Sequence, residues 1–147
     1  FLHRAAPADP GDETIEDFVC DTLSLCGKKP VEEELLTKLR AQMGAILSDK
    51  LNVLRCGTEL AAAVDEFGAM LETLEETSLA GVSAKLKFDT IRLVNDLQTA
   101  YLLAVSAYTR AGSMGCHVRT DSVDEKEKYR IVIRNTPDGA AVTKMQL

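Results

Sequence analysis

The residues with the most chemical capacity gather in one stretch, Arg110-Ala-Gly-Ser113-Met-Gly115-Cys-His117-Val-Arg119-Thr-Asp121. His117 and Arg119 stand at i and i+2, so in an extended segment they share a side. With Arg110 just upstream they supply two or three donors for a carboxylate, Arg through a bidentate fork and His through a charge that switches near neutral pH. The same residues have a structural use, a network tying the loop to Asp121 or to the end of the preceding helix, and this use carries more weight. Cys116 beside His117 suggests a thiolate–imidazolium pair. Neighbours in an extended segment point to opposite sides, which leaves Cys116 as a small packing residue and His117 as a brace.

Little else offers chemistry. The four cysteines, Cys20, Cys26, Cys56 and Cys116, are irregularly spaced, with no CxxC and two histidines in the chain. Zinc sites announce themselves by close Cys/His pairs, so no metal ligand is assigned. Free thiols in a reducing compartment are expected, with Cys20–Cys26 as the one conceivable bridge. The glycines are scattered over helix ends and turns, without the GxGxxG or P-loop spacing that lets backbone approach a pyrophosphate. No catalytic residue and no cofactor-binding residue is therefore expected within this chain.

Three amphipathic helices must position the loop. The first is predicted from Pro30, with Glu32, Glu33 and Glu34 at its positive end and a stripe of Leu35, Leu36, Leu39, Met43, Ile46 and Leu47. The second runs from Thr58, a candidate N-cap, to Thr77, with Leu60, Val64, Phe67, Leu71 and Leu74 on one face. The third spans Ser83 to Ala111, about 42 Å long, with Leu86, Ile91, Val94, Leu97, Tyr101, Leu102, Val105 and Tyr108 as its apolar set. Tyr129 to Arg134 and Ala140 to Leu147 read as two strands around the turn residues Asn135 to Gly139. A lone hairpin is marginal in water, so it must lean on the bundle or on structure outside this chain.

The expected fold is mainly α: a three-helix up-down-up bundle, spectrin-repeat-like, with a small C-terminal β-hairpin. Residues 1–30 read as an arm or linker that docks on something. Within it, Ile15 to Leu25 could form a short helix (Ile15, Phe18, Val19, Thr22, Leu23, Leu25) ended by Gly27 and Pro30. Residues 31–121 form the bundle and its loop, and 122–147 a charged stretch plus the hairpin.

Composition sets the outer bounds. The 147 residues carry 17 Lys plus Arg against 23 Asp plus Glu, a net charge of −6, which argues against a nucleic-acid partner. No apolar run is long enough to insert in a membrane directly. Residue 1 is Phe with no signal peptide after it, as expected of a segment of a larger protein.

The 110–121 stretch resembles the pattern R-x-x-S-R-G-A-H-x-R-x-D of the C-terminal region of succinate dehydrogenase and fumarate reductase flavoproteins, shared with L-aspartate oxidase. The order of parts is similar too: a helix like Glu34 to Leu47, a segment like Leu51-Asn-Val-Leu-Arg55, a helix opened by Gly-Thr-Glu-Leu, then the long helix and the motif. The likeness covers residues 31 to 147. Departures are Met114 where Arg is usual, Cys116 for Ala, Gly112 for Glu, and Tyr129 near a common Trp.

The resemblance implies a full-length protein that binds FAD in an upstream domain and interconverts succinate and fumarate, or oxidises a related dicarboxylate. The family's substrate-clamping and proton-donating residues lie upstream, so none is carried onto this chain. Arg110, Ser113, Gly115, His117, Arg119 and Asp121 are left to brace the loop or contact the flavin domain. The implied partners are that FAD-binding domain and an iron–sulfur subunit. The implied location is cytoplasmic, at a membrane where partner subunits supply the anchor. The alternatives are an L-aspartate oxidase-type flavoprotein and a free-standing helical interaction module.

Overall fold

Glu33 and Glu34 sit at the positive end of helix α1 (Glu33–Lys50) and Lys50 at its negative end, the order that a helix dipole favours. The chain is described here from a computed structural model covering Leu25 and residues 27–122, 128–136 and 139–146. Helices α2 (Gly57–Glu75) and α3 (Ala84–Thr109) follow, making the expected three-helix bundle. Ser83 caps α3, its hydroxyl accepting from the Leu86 amide at 3.3 Å. The expected N-cap Thr58 lies inside α2; the cap position is Cys56, whose side chain makes no capping bond.

The core runs through all three helices. Phe67, Leu60, Leu74, Leu93, Leu97 and Val94 are fully buried, with Leu36, Leu39 and Ile46 closing the α1 side. Thr90 is buried with them and satisfies its hydroxyl on the Leu86 carbonyl at 2.7 Å. The C-terminal half of α3 departs from its expected stripe. Ala100, Ala104 and Ala107 are buried there, Tyr101, Leu102 and Val105 are half-buried, and Tyr108 is exposed. Small side chains let helices approach closely, and α2 with α3 is the most extensive helix pair of the bundle. Larger neighbours such as Leu103 are thereby turned outward at this end of the helix.

Three short pairings tie the ends. Strand β1 (Lys29–Pro30) runs parallel to β3 (Thr77–Ser78), with Gly27 N–H donating to the Thr77 carbonyl at 2.9 Å and Val31 N–H to the Ser78 carbonyl at 3.1 Å. Pro30 is therefore extended, and α1 starts three residues later than its proline suggested. Leu25 and Val31 are buried beneath this strap. The expected short helix lies outside the described residues except for Leu25. At the opposite end β2 (Leu54–Arg55) runs parallel to β4 (Val118–Arg119). The hairpin pairs β5 (Tyr129–Thr136) with β6 (Gly139–Gln146), antiparallel, in the register Tyr129↔Gln146. It leans on the bundle through Tyr129, which is buried and accepts from Arg110 Nη2 at its carbonyl at 3.1 Å.

Candidate functional site

The stretch singled out in the sequence folds back across the ends of all three helices. A tight turn at Gly115 and Cys116, with Gly115 at φ 57°, pairs Met114 with His117 through N–H···O bonds of 2.8 and 3.0 Å. The turn sends Val118 and Arg119 alongside Leu54 and Arg55. Ser113 steadies the return, its hydroxyl accepting from the Arg119 amide at 2.9 Å while its own amide donates to Ser122 Oγ at 3.1 Å.

Arg119 and Asp121 form the centre. The guanidinium donates from Nε to Asp121 Oδ1 at 2.7 Å and from Nη2 to Oδ2 at 2.8 Å, a bidentate fork. Its Nη1 donates to the Arg110 carbonyl at 3.1 Å and reaches the Tyr108 carbonyl at 3.4 Å, at the end of α3. Asp121 Oδ2 also accepts from the Gly57 amide at 2.9 Å, the first residue of α2. The cation thus meets the negative end of one helix and the carboxylate the positive end of another. A Cβ on Gly57 would stand 2.4 Å from Arg119 Nη2 and 2.6 Å from Asp121 Oδ2, so a larger residue there must push this ion pair aside. The Arg119 fork, then the Gly57 amide, hold the Asp121 carboxyl well below the usual carboxylate range. Asp121 in turn raises Arg119.

His117 is the third member. Its Nδ1 lies 2.8 Å from Arg55 Nη1 and its Nε2 lies 3.0 Å from the Arg110 carbonyl. A guanidinium only donates and a carbonyl only accepts, so the ring is the neutral tautomer with its proton on Nε2. Burial lowers its proton affinity and the Arg55, Arg119 and Arg110 charges act the same way, against the opposing pull of the Arg110 carbonyl. Arg55 also donates to the Asn52 carbonyl at 2.6 Å and to the Leu51 carbonyl at 3.0 Å, closing the end of α1. Arg55 and Gly57 carry no role in the sequence reading. Their partners lie 62 and 64 residues away, and local spacing gives no sign of them.

A pH prediction follows from His117. Its folded-state proton affinity is lower than in the unfolded chain, so the unfolded chain binds more protons just below the unperturbed value of 6.5. Stability should be full above that value and fall as the pH drops beneath it. The His117→Gln variant should show a flatter stability profile between about pH 7 and 5 in chemical denaturation. Identical slopes for the two proteins would refute the assignment.

Beside this junction lies a concavity of about 380 Å³ between α3, the turn and β5, lined among others by Arg55, Leu103, Arg110, Met114, His117 and Tyr129. The Arg110 guanidinium stacks 4.7 Å from the Tyr129 ring centroid. Leu103 and Met114 are about half exposed at 48% and 51%, an apolar edge beside two guanidiniums. Cys116 is an exposed free thiol.

The helix starts carry polar or acidic partners from this chain itself. The start of α2 is filled by the Asp121 carboxylate, that of α3 by the Ser83 hydroxyl, and that of α1 carries Glu33 and Glu34. One first-turn amide of α2 and one of α3 are thus engaged, and the two glutamates at the start of α1 oppose an anion there.

A family profile described as fumarate reductase flavoprotein C-term matches residues 40–139. No curated protein matches the sequence. Among solved structures, one titled quinol-fumarate reductase with menaquinol molecules superposes with a TM-score of 0.68 at 20% identity, covering 90% of this chain and 24% of that one. A mutant of the E. coli quinol fumarate reductase FrdA chain gives 0.67 at 18%, covering 95% and 26%. The chain spans about a quarter of the length of these structures, and the likeness is one of fold.

Proposed function

Because the chain belongs to the fumarate reductase flavoprotein C-terminal family, we propose that it is the helical scaffold of an FAD-dependent flavoprotein of the succinate dehydrogenase and fumarate reductase type. The flavin and the dicarboxylate are held by a domain upstream of residue 1, and an iron–sulfur subunit is a further candidate partner. The match across residues 40–139 carries this proposal, and the junction at Arg119 gives it a physical basis. Arg55, His117, Arg119 and Asp121 lock three helix ends to one another, so this end of the bundle offers a fixed face rather than a reacting centre. Its half-exposed Leu103 and Met114, beside Arg55 and Arg110 with no carboxylate partner among the described residues, suit a face that packs on another domain.

The first test is the intact mass and visible spectrum of the native gene product, captured with an antibody to this chain. A flavin-absorbing species several times heavier than 16.0 kDa that reduces fumarate or oxidises succinate is the expected result. Turnover of L-aspartate instead would assign it to the L-aspartate oxidase branch. A colourless species near 16.0 kDa would overturn the proposal in favour of a free-standing interaction module. The 147-residue chain alone should bind no flavin in a spectroscopic titration.

A further inference from the structure

The concavity between α3, the Gly115 turn and β5 is walled by three guanidiniums, those of Arg55, Arg110 and Arg130, and by no carboxylate among the described residues. The partners that hold the first two are neutral. Arg55 donates to the Leu51 and Asn52 carbonyls and to His117 Nδ1, while Arg110 donates to the Tyr129 carbonyl and stacks on its ring. Lys144 Nζ lies 4.4 Å from the centroid of the same ring. Arg130 is exposed and makes no ion pair among the described residues, and the same holds for Arg134 further along β5. The described residues of this segment, 128–136 and 139–146, contain the cations Lys128, Arg130, Arg134 and Lys144 and no acid, in a chain of net charge −6. Positive charge therefore gathers at this one end of an acidic molecule.

Resting on the reading of this end as a face that packs on an upstream domain, we propose that the concavity receives an Asp or Glu side chain of that domain, paired with Arg110 and Arg130. Charge, order and shape all select this occupant. Arg55 and Arg110 are half-buried cations, and a partner carboxylate offsets the cost of keeping them from water. Arg110 is already held by the Tyr129 carbonyl and ring, so a carboxylate meets a guanidinium that needs little further ordering. The apolar flank of Leu103, Met114 and Ile131 suits the stem of an acidic side chain and the protein surface behind it, whereas a free anion would leave Leu103 and Met114 in water. Arginine and tyrosine around a partly apolar floor are also the residues that carry binding energy at protein interfaces.

The test uses the full-length gene product carrying Arg130→Lys, treated with a carbodiimide that joins an amine to a carboxylate without a spacer. A cross-link from position 130 to an Asp or Glu upstream of residue 1 is expected by mass spectrometry, and none from that position in the parent protein. Met114, 51% exposed in the chain alone, reports whether the face is covered. It should be oxidised about tenfold more slowly in the full-length protein, and Arg130→Glu should bring the rate back toward that of the 147-residue chain. A protected Met114 without the cross-link, or with a rate that Arg130→Glu leaves unchanged, would overturn the carboxylate pairing while the packing of this face on another domain stands. A cross-link to an acid within residues 1–147, or to a separate subunit, would overturn it in favour of that partner. A colourless product near 16.0 kDa would overturn both readings, since no upstream domain would exist to supply the acid.

Discussion

Arg119→Ala is expected to destabilise the chain by about 3 kcal/mol, a fall of roughly 10 °C in Tm for a domain of this size. The side chain is 6% exposed and makes four bonds at once, two to Asp121 and two to the last carbonyls of α3. Removing it strips those carbonyls of a donor and leaves Asp121 with only the Gly57 amide among these contacts. Arg119→Lys keeps the charge but loses the fork, and should restore less than half of the lost stability. The Arg119→Ala protein should also lose less on acidification. The depressed Asp121 carboxyl gives stability that is present above its ordinary value of 3.8 and lost as the pH falls beneath it, and the Arg119 fork is the main source of that depression. Thermal melts and urea titrations of the three proteins decide the matter. A Tm for Arg119→Ala within about 2 °C of the parent would leave the junction without energetic weight.

Gly27→Ala is the second large effect, at the other end of the bundle. A Cβ at this position would lie 1.7 Å from the Glu76 carbonyl oxygen and 1.8 Å from its carbon, backbone atoms that cannot swing aside. The strap must lift, which breaks the Gly27–Thr77 bond and withdraws Leu25 from the core. Loss of one leucine burial with its hydrogen bond amounts to about 3 kcal/mol. Gly44→Ala is the control, because it lies inside α1 with nothing within 4 Å of its Cβ, and it should stabilise by about 0.5–1 kcal/mol. Rapid exchange of the Val31 amide in Gly27→Ala, against a protected Val31 in Gly44→Ala, would locate the damage at the strap.

These two positions differ in how far they could be read from sequence. Arg119 was marked by its spacing from His117 and its place in a motif, and Asp121 was already a candidate partner. Gly27 was legible only as a helix stop. Its closeness to Glu76 depends on a strand pairing across 48 residues, for which two-residue strands leave no periodic signal. The misplaced start of α1 has the same origin. Pro30 suits a first helical turn, but its fixed backbone also suits an edge strand, and the available Ser78 carbonyl decided between them.

By itself the sequence determined the three helices, their order, the hairpin and the motif that resembles the flavoprotein family. Each of these is written in local spacing, and a helix face or a turn needs only a few neighbouring residues to declare itself. Only the tertiary structure decided that α3 buries Ala100, Ala104 and Ala107 rather than its larger neighbours, because a close helix pair rewards small side chains that a hydrophobicity pattern undervalues. It also decided that Asp121 caps α2, that Arg55 donates to His117, and that the loop's donors turn inward to helix ends. Those choices follow from where unpaired amides and carbonyls come to lie once the helices pack, a property of the assembled bundle and of no single segment.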